Sequence, residues 1–404
     1  MKTYNHISVA IPMLAELSAA PQLIDCLRNQ TFKDIDIYVC VNQPDDWWEN
    51  DEMQPLCNEN AMLLQWLKEQ TDITIHIIDK SSRGKGWDNK KKGVGWARKV
   101  LFDKIIEDKA DTELVVSLDA DTEFSDNYLQ SVLTKMNTNS QAMALAVPYY
   151  HKLTSNNRQN RTLLRYETYM RYYLLQMLQI HNPYAFTALG SAMVFPLKAY
   201  KKVGGITPMQ AGEDFYLMQK FAKTGTIAIH NTECVYPSGR ISLRVPFGTG
   251  PAVNKDIENQ DSSYPFYPSN IFKLIEETFS CFPKLYTQNL PTPMTSFLEN
   301  QLKTTDLWQP MRKNYKKIEL FVKACVERVD GLRILQFLKQ EYSKYNQTSS
   351  EGNLIEYCTN NKIDIDPEFS FLTSDIETLD SLRNKLFEKE NALRLQHDDN
   401  ILCK

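Results

Sequence analysis

The sequence predicts an α/β fold, a mainly parallel β-sheet flanked by helices, followed by a helical C-terminal region. Over roughly the first 250 residues, short apolar runs alternate with stretches of helical spacing, which is the pattern of βαβ units. Beyond a polar stretch at 254–270, helical patterns dominate. We therefore expect an α/β domain at 1–252 and a mostly helical region at 253–404.

Apolar runs predict strands, and amphipathic spacing predicts the helices between them. The strand candidates are Ile7–Ile11, Ile35–Val41, Ile73–Ile78, Leu114–Leu118, Met143–Val147 and Ala192–Phe195. The helix candidates are Pro21–Asn29, Met62–Lys68, Gly93–Asp108, Thr162–Ile180, Lys316–Val329, Leu332–Tyr345 and Ile376–Gln396. Parallel strands of this kind end at a common edge of the sheet, where ligands of open α/β folds bind.

Composition excludes several classes of protein. The chain has 404 residues, 42% of them hydrophobic, and a formal net charge of -4, so nothing indicates a nucleic-acid partner. The eight cysteines form no metal-ligand spacing, which favours a reducing, cytoplasmic location. We expect no secretory signal and no transmembrane segment, because the N-terminus is polar and no apolar run is long enough. Peripheral membrane contact is left open.

Asp-x-Asp occurs three times, and context separates the copies. Asp34/Asp36 precedes its strand, and Asp364/Asp366 lies between helical segments. Only Asp119/Asp121 follows an apolar strand, at the end where ligands bind. Two carboxylates at this spacing can converge on Mg²⁺ or Mn²⁺, and the metal can then neutralise a departing diphosphate. The alternative is a solvated acidic turn.

A second acidic pair, Glu213-Asp214, follows Gly212 and opens a helical stretch. In a catalytic role, a carboxylate here would take the proton of an attacking hydroxyl, which is otherwise a poor nucleophile. The alternative is structural, because acidic residues stabilise a helix N-terminus through the helix dipole.

Four segments, taken in order, resemble the family 2 glycosyltransferases of the GT-A fold. They are Ile-Pro-Met-Leu-Ala-Glu at 11–16, Leu-Asp-Ala-Asp at 118–121, Gly-Gly-Ile at 204–206 and Gly-Glu-Asp-Phe-Tyr-Leu at 212–217. The resemblance covers roughly residues 6–250. It implies a metal-dependent, inverting enzyme that moves a sugar from a nucleotide-diphosphate sugar to an acceptor hydroxyl, using Mn²⁺ or Mg²⁺. Glycan, polysaccharide or glycolipid synthesis is the expected setting.

The resemblance also implies roles for the matching residues. Pro12 and Glu16 would contact the nucleoside of the donor. Asp119 would contact the ribose or the water shell of the metal, and Asp121 would ligate the metal itself.

On the acceptor side, the resemblance makes Asp214 the base of an inverting displacement. Glu213 would support the site or the acceptor.

The sequence departs from the family pattern in two places. After the second strand, where the family often has an acidic doublet, Asn42 is the candidate that reads the donor base. The Gln-x-x-Arg-Trp motif of processive members is absent, and its place holds Arg240 and Arg244, which can clamp a diphosphate. A surface loop with two solvated arginines explains the same residues.

A basic stretch at 83–93 joins the third strand to the next helix. Lysines and a helix N-terminus favour phosphate, and Asp88 is a candidate for the base or the ribose. A solvated basic loop is the alternative.

Two other functions compete with glycosyl transfer. A sugar-1-phosphate nucleotidyltransferase would cradle a triphosphate with a glycine-rich loop, but the loop Met13–Ser18 contains no glycine. A non-catalytic nucleotide-sugar-binding protein would have no need of both acidic pairs. The sequence leaves the role of the C-terminal helices open between shaping the acceptor side and an oligomer contact.

Overall fold

The computed structural model of the chain describes residues 3–88, 91–210, 212–240, 264–344 and 349–402. The chain forms two compact units. The first contains Met1–Leu163, Thr187–Gln260 and Asp398–Lys404, and the second contains Leu164–Phe186 and Asp261–His397. The predicted boundary at 252 falls outside the described residues and stays a prediction.

Within the described residues, a seven-stranded sheet of order β3-β2-β1-β4-β7-β6-β8 forms the centre of the first unit. Its strands are β1 (Ile7–Met13), β2 (Ile35–Asn42), β3 (Ile75–Lys80), β4 (Leu114–Ser117), β6 (Ala144–Ala146), β7 (Met193–Pro196) and β8 (Ile227–Ala228). Two further strands, β5 (Glu123–Phe124) and β9 (Val235–Tyr236), lie outside this sheet. All neighbours pair in parallel except β7, which runs antiparallel between β4 and β6. The predicted mainly parallel sheet is confirmed.

The central strands β1 and β4 are apolar except for Ser8 and Ser117, because both faces of the sheet are covered. Every residue of β1 and β4 is buried, as expected for the middle of a parallel sheet. The edge strand β3 is half-buried along its length. A separate pair, β5 with β9, aligns Glu123 with Tyr236 and so brings the chain before residue 240 next to the segment after β4.

Up to residue 225, seven α-helices lie wholly or partly in the described part of the first unit. They are α1 (Ala20–Arg28), α2 (Gln54–Glu69), α3 (Val94–Asp108), α4 (Tyr128–Thr138), α5 (Asn157–Gln179), α6 (Leu197–Lys202) and α7 (Glu213–Thr224). Helix α3 packs on β1 and β2 through a buried stripe that includes Ala97, Leu101 and Ile105. That stripe also carries Arg98, and this placement matters for the site below.

The second unit is helical in the part that the structure describes. Its helices are the C-terminal part of α5 together with α8 (Ser269–Leu285), α9 (Thr295–Leu302), α10 (Gln309–Asn314), α11 (Ile318–Arg328), α12 (Gly331–Tyr342), α13 (Ser350–Asn360) and most of α14 (Ile376–Leu402). Its core contains aromatic contacts such as Tyr172 with Phe266 and Tyr357. In the described ranges, no helix has the length and apolar character needed to cross a membrane.

Several predicted elements differ from the structure at their limits. Helix α2 begins at Gln54, two turns before the predicted Met62, because Pro55 starts the helix and the polar run Asn58–Asn60 interrupts the apolar spacing of its first turns. The predicted linker 254–270 ends inside a helix, since α8 starts at Ser269. The sequence analysis did not predict α4 or α8. The predicted helix Thr162–Ile180 corresponds to α5, and Tyr172 on this helix is fully buried.

Candidate active site

The first acidic pair lies directly beyond β4, at the carboxyl edge of the parallel sheet. The Leu118 N–H donates to the Ala10 carbonyl at 3.1 Å, which extends the pairing of β4 with β1 by one residue. A turn follows, in which the Thr122 N–H donates to the Asp119 carbonyl at 3.2 Å. Both Asp119 and Asp121 therefore leave the sheet where ligands of open α/β folds bind.

A buried arginine joins the two acidic pairs. The Arg98 Nη2 lies 2.5 Å from the Asp119 Oδ1, and the Arg98 Nη1 forms an ion pair with the Glu213 Oε1. Arg98 is 3% exposed and Glu213 is 1% exposed, so this contact is withdrawn from water. Sequence reasoning missed Arg98; the signal was a charged residue on the apolar stripe of α3, which needs a buried partner.

Glycine makes room for this arginine. A Cβ at Gly190 would overlap the Arg98 guanidinium, so only glycine fits at this point of the loop before β7. The Ser117 Oγ donates to the Gly190 carbonyl at 2.7 Å and ties the loop to the end of β4. On the other side, Gly95 in α3 allows the backbone of Met209, just before the second acidic pair, to approach closely.

The second acidic pair forms the first turn of α7. Gly212 precedes it with φ +79°, a left-handed conformation that suits glycine. The Asp214 Oδ1 accepts a hydrogen bond from the Phe215 N–H at 2.7 Å. Burial raises the pKa of Asp214 well above its ordinary value, the charge of Glu213 raises it further, and the charge of Arg98 opposes both.

A second arginine, Arg240, contacts the carboxylates of Asp121 and Glu16. The Arg240 Nε lies 2.9 Å from the Asp121 Oδ2, and the Arg240 Nη2 pairs with the Glu16 Oε1. Burial raises the pKa of Asp121 to about 6, although Arg240 acts in the opposite direction. The structure thus brings Glu16, Asp121 and Arg240 into one cluster.

The segment that carries Arg240 is fixed by its neighbours. The Gln159 Nε2 donates to the Gly239 carbonyl at 2.7 Å. A Cβ at Gly239 would meet the Leu163 side chain, so glycine allows this close packing. Arg244, the other predicted clamp, lies outside the described residues.

The remaining predicted donor contacts lie on neighbouring elements. Pro12 is buried in β1, opposite Cys40 of β2. The Asn42 Nδ2 donates to the Met13 carbonyl at 2.9 Å, and its Oδ1 accepts from the Trp87 Nε1 at 3.1 Å. The Asn42 amide therefore links β1, β2 and the loop after β3.

Asp88 is exposed, and its Oδ1 accepts from the Lys91 N–H at 2.8 Å. In the basic stretch before it, the Lys85 Nζ lies 3.0 Å from the Asp79 Oδ2. Arg83 pairs with Glu49. Lys85 and Arg83 thus form ion pairs within the protein, as expected for the alternative of a structural loop.

The first acidic pair is the candidate ligand set for a divalent cation. In the described ranges, no group of three or more His, Cys, Asp or Glu side chains is arranged to hold a metal. Asp119 and Asp121 nevertheless share one turn, and their side chains are 40% and 21% exposed. Carboxylate oxygens are the ligands that Mg²⁺ and Mn²⁺ prefer, and Asp121 already lies against a cation in Arg240. These residues fit a metal whose other ligands come from a diphosphate and water.

Residues 114–255 match the family model described as Glycosyl transferase family group 2. The chain carries a family 2 glycosyltransferase segment. The match spans both acidic pairs, and it confirms the resemblance predicted from the sequence and the enzyme class that it implies. No curated protein sequence matches this glycosyltransferase significantly.

Several solved structures are similar to the glycosyltransferase at low identity. Residues 1–349 of Staphylococcus aureus TarS with UDP share 11% identity, with 85% of this chain and 93% of that chain covered and a TM-score of 0.40. The Pyrobaculum calidifontis mannosyltransferase PcManGT with GDP-Man and Mn²⁺ shares 11% identity over 96% and 87%, with a TM-score of 0.36. The Mycobacterium tuberculosis glucosyl-3-phosphoglycerate synthase with phosphoglyceric acid shares 13% over 56% and 69%, with a TM-score of 0.34.

Proposed function

We propose that this enzyme transfers a sugar from a nucleotide-diphosphate sugar to an acceptor hydroxyl with inversion at the anomeric carbon. Asp119 and Asp121 would hold a Mn²⁺ or Mg²⁺ ion on the donor side, and Asp214 would act as the general base. The acceptor would be a saccharide or glycolipid of a glycan, polysaccharide or glycolipid pathway, and the location cytoplasmic.

One observation carries the proposal: Arg98 links the partly exposed Asp119 of the first acidic pair to the buried Glu213 of the second. An in-line displacement needs two different environments. The leaving diphosphate needs positive charge, whereas the attacking hydroxyl needs a base on the opposite side. The exposed fractions, 40% for the Asp119 side chain and 2% for that of Glu213, match that division.

The chemistry at the acceptor follows from the environment of Asp214. Ionised Asp214 accepts the proton of the acceptor hydroxyl as its oxygen forms a bond to the anomeric carbon. The bond from that carbon to the diphosphate oxygen breaks, and the diphosphate leaves with the electron pair. Arg98 keeps the adjacent Glu213 paired, so that the helix start stays in place during the transfer.

On the donor side, a bound metal ion would supply positive charge that stabilises the leaving diphosphate. Asp121 and Asp119 would bind it from one turn. Arg240 supplies a second positive charge beside Asp121. Its planar guanidinium can bind a phosphate through two parallel hydrogen bonds. Pro12, Glu16, Asn42 and Asp88 are proposed to contact the nucleoside, and Arg244 to assist Arg240.

Substitution of Asp121 tests the donor half of this proposal. A panel of nucleoside diphosphates is screened by thermal shift with and without Mn²⁺, since a ligand that binds only the native state raises the melting temperature. We expect Asp121→Asn to lose the metal-dependent part of the shift while the unliganded protein melts as a folded chain.

The matched control is Asp364→Asn, which alters another Asp-x-Asp doublet, at an exposed position of the second unit. It should leave the shift unchanged. A full metal-dependent shift in Asp121→Asn would overturn the proposed metal site.

A further inference from the structure

The surface of the second unit contains a strongly basic segment at 309–323, which includes α10 and the start of α11. It contains five cations and a single acidic residue, Glu319. The cations are Arg312, Lys313, Lys316, Lys317 and Lys323. The sign of this segment's charge is opposite to the net charge of the whole chain, which is -4.

Two large apolar side chains are exposed within the same segment. Ile318 is 39% exposed and Leu320 is 50% exposed, and both belong to the first turn of α11. We call Lys313, Lys316, Lys317, Ile318, Leu320 and Lys323 the basic apolar patch.

Buried contacts hold the patch in a fixed conformation. Phe321 is fully buried, and its ring centroid lies 5.5 Å from that of Tyr286. The Tyr286 hydroxyl donates to the Lys316 carbonyl at 2.9 Å, and the Arg312 Nη1 donates to the Leu285 carbonyl at 2.9 Å. The exposed Ile318 and Leu320 therefore belong to a helix whose other side is packed against the protein.

The lysines of the patch have their charge available. Among the described residues, none of these four lysines forms an ion pair, whereas Lys344 and Lys385 of the same unit do. A cluster of cations without carboxylate partners attracts a surface of negative charge. The same patch contains Ile318 and Leu320, whose apolar side chains would become buried once contact is made.

We propose that the basic apolar patch docks the protein on the surface of an anionic lipid bilayer. The lysines would contact lipid phosphates, and Ile318 and Leu320 would insert at the boundary between headgroups and acyl chains. A soluble polyanion would use the lysines alone. A bilayer surface would neutralise the lysines and bury the exposed apolar pair, so it accounts for both features of the patch. This docking does not depend on the sugar-transfer chemistry.

The test is co-flotation of the full chain with phosphatidylcholine vesicles that contain or lack phosphatidylglycerol. We expect binding only to the anionic vesicles and weaker binding as salt is added, because salt screens surface charge. The triple variant Lys313→Gln/Lys316→Gln/Lys317→Gln should bind roughly 100-fold more weakly. The double variant Ile318→Ser/Leu320→Ser should lose binding by about tenfold.

The matched control is Leu372→Ser, which removes another exposed apolar side chain, 68% exposed, from the same unit. It should bind like the parent chain, and circular dichroism checks that every variant is folded. Equal binding to neutral vesicles would overturn the proposal. So would full vesicle binding by the folded Ile318→Ser/Leu320→Ser variant, which would indicate a polyanion site.

Discussion

The side chains of Asp119 and Asp121 are 40% and 21% exposed, whereas the side chain of Glu213 is 2% exposed. Each aspartate of the first pair contacts a different arginine, Arg98 or Arg240. In the second pair, the contact is the ion pair of Glu213 with Arg98. The same type of side chain thus meets two environments at one edge of the sheet.

This difference suggests how one fold separates two tasks. Carboxylates that stay accessible can exchange a cationic side chain for a metal or a diphosphate-bound cation. A carboxyl beside a buried charge is desolvated, which raises its pKa and makes it a stronger base. Sites where environments push the pKa values of neighbouring acids upward are good candidates for acid–base chemistry.

Removing Arg98, which contacts both acidic pairs, should have the largest effect. Arg98→Ala leaves Glu213 buried without a counter-ion, and loss of one partner of a buried pair typically costs about 3–5 kcal/mol. We expect a large fall in the free energy of unfolding, measured by urea denaturation, together with loss of transfer activity.

The control for Arg98 is Arg28→Ala, which removes an arginine paired with the exposed Asp72. Surface pairs contribute little, so its unfolding curve should nearly superimpose on that of the parent. Similar curves for both variants would show that the Arg98 contact is not a buried one in solution.

A smaller effect is expected from the glycine beside Arg98. Gly190→Ala places a methyl group where the guanidinium lies, and overpacking of this kind typically costs about 1–3 kcal/mol. Displacing Arg98 should also lower turnover, measured with saturating donor. The matched variant Gly352→Ala, in the first turn of α13, meets only the Ser349 Oγ, at 3.0 Å, and should be close to neutral. Equal effects of the two substitutions would contradict the packing described for Arg98.

The smallest expected effect is on the pH dependence of turnover, which reports the environment of Asp214. Asp214 acts as a base only when ionised, so kcat should fall as the pH drops through its raised pKa. Half-loss is expected well above pH ~4, the ordinary range of a carboxyl group. Glu213→Gln removes a charge that raises this pKa, so the acid limb should move to lower pH. A limb that does not move would contradict the assigned cause.

The sequence predicted the sheet and the place of the first acidic pair. Apolar runs with the spacing of strands identified β1, β2, β4 and β7 within one or two residues at each end. The rule that ligands bind beyond the carboxyl ends of parallel strands then separated Asp119/Asp121 from the two other Asp-x-Asp copies. Local pattern and a general topological rule were sufficient for this step.

The contacts between distant segments could not be predicted. Arg98 and Glu213 are 115 residues apart, and helical spacing shows that Arg98 faces the core without showing which acid it meets. Likewise, the second unit joins Leu164–Phe186 to Asp261–His397, and no composition change marks the first of these segments. Side-chain pairing and unit assignment depend on the packed chain, which single-sequence patterns do not encode.

The most direct test of the division between the two acidic pairs is Asp214→Asn, which keeps the shape of the side chain and removes its basicity. Turnover is measured with saturating donor, and nucleoside-diphosphate affinity is measured in Mn²⁺ on the same preparation. If Asp214 is the base, turnover should fall by about 10²–10⁴, the usual contribution of a general base, while the affinity changes little. Near-parental turnover in Asp214→Asn would contradict this role.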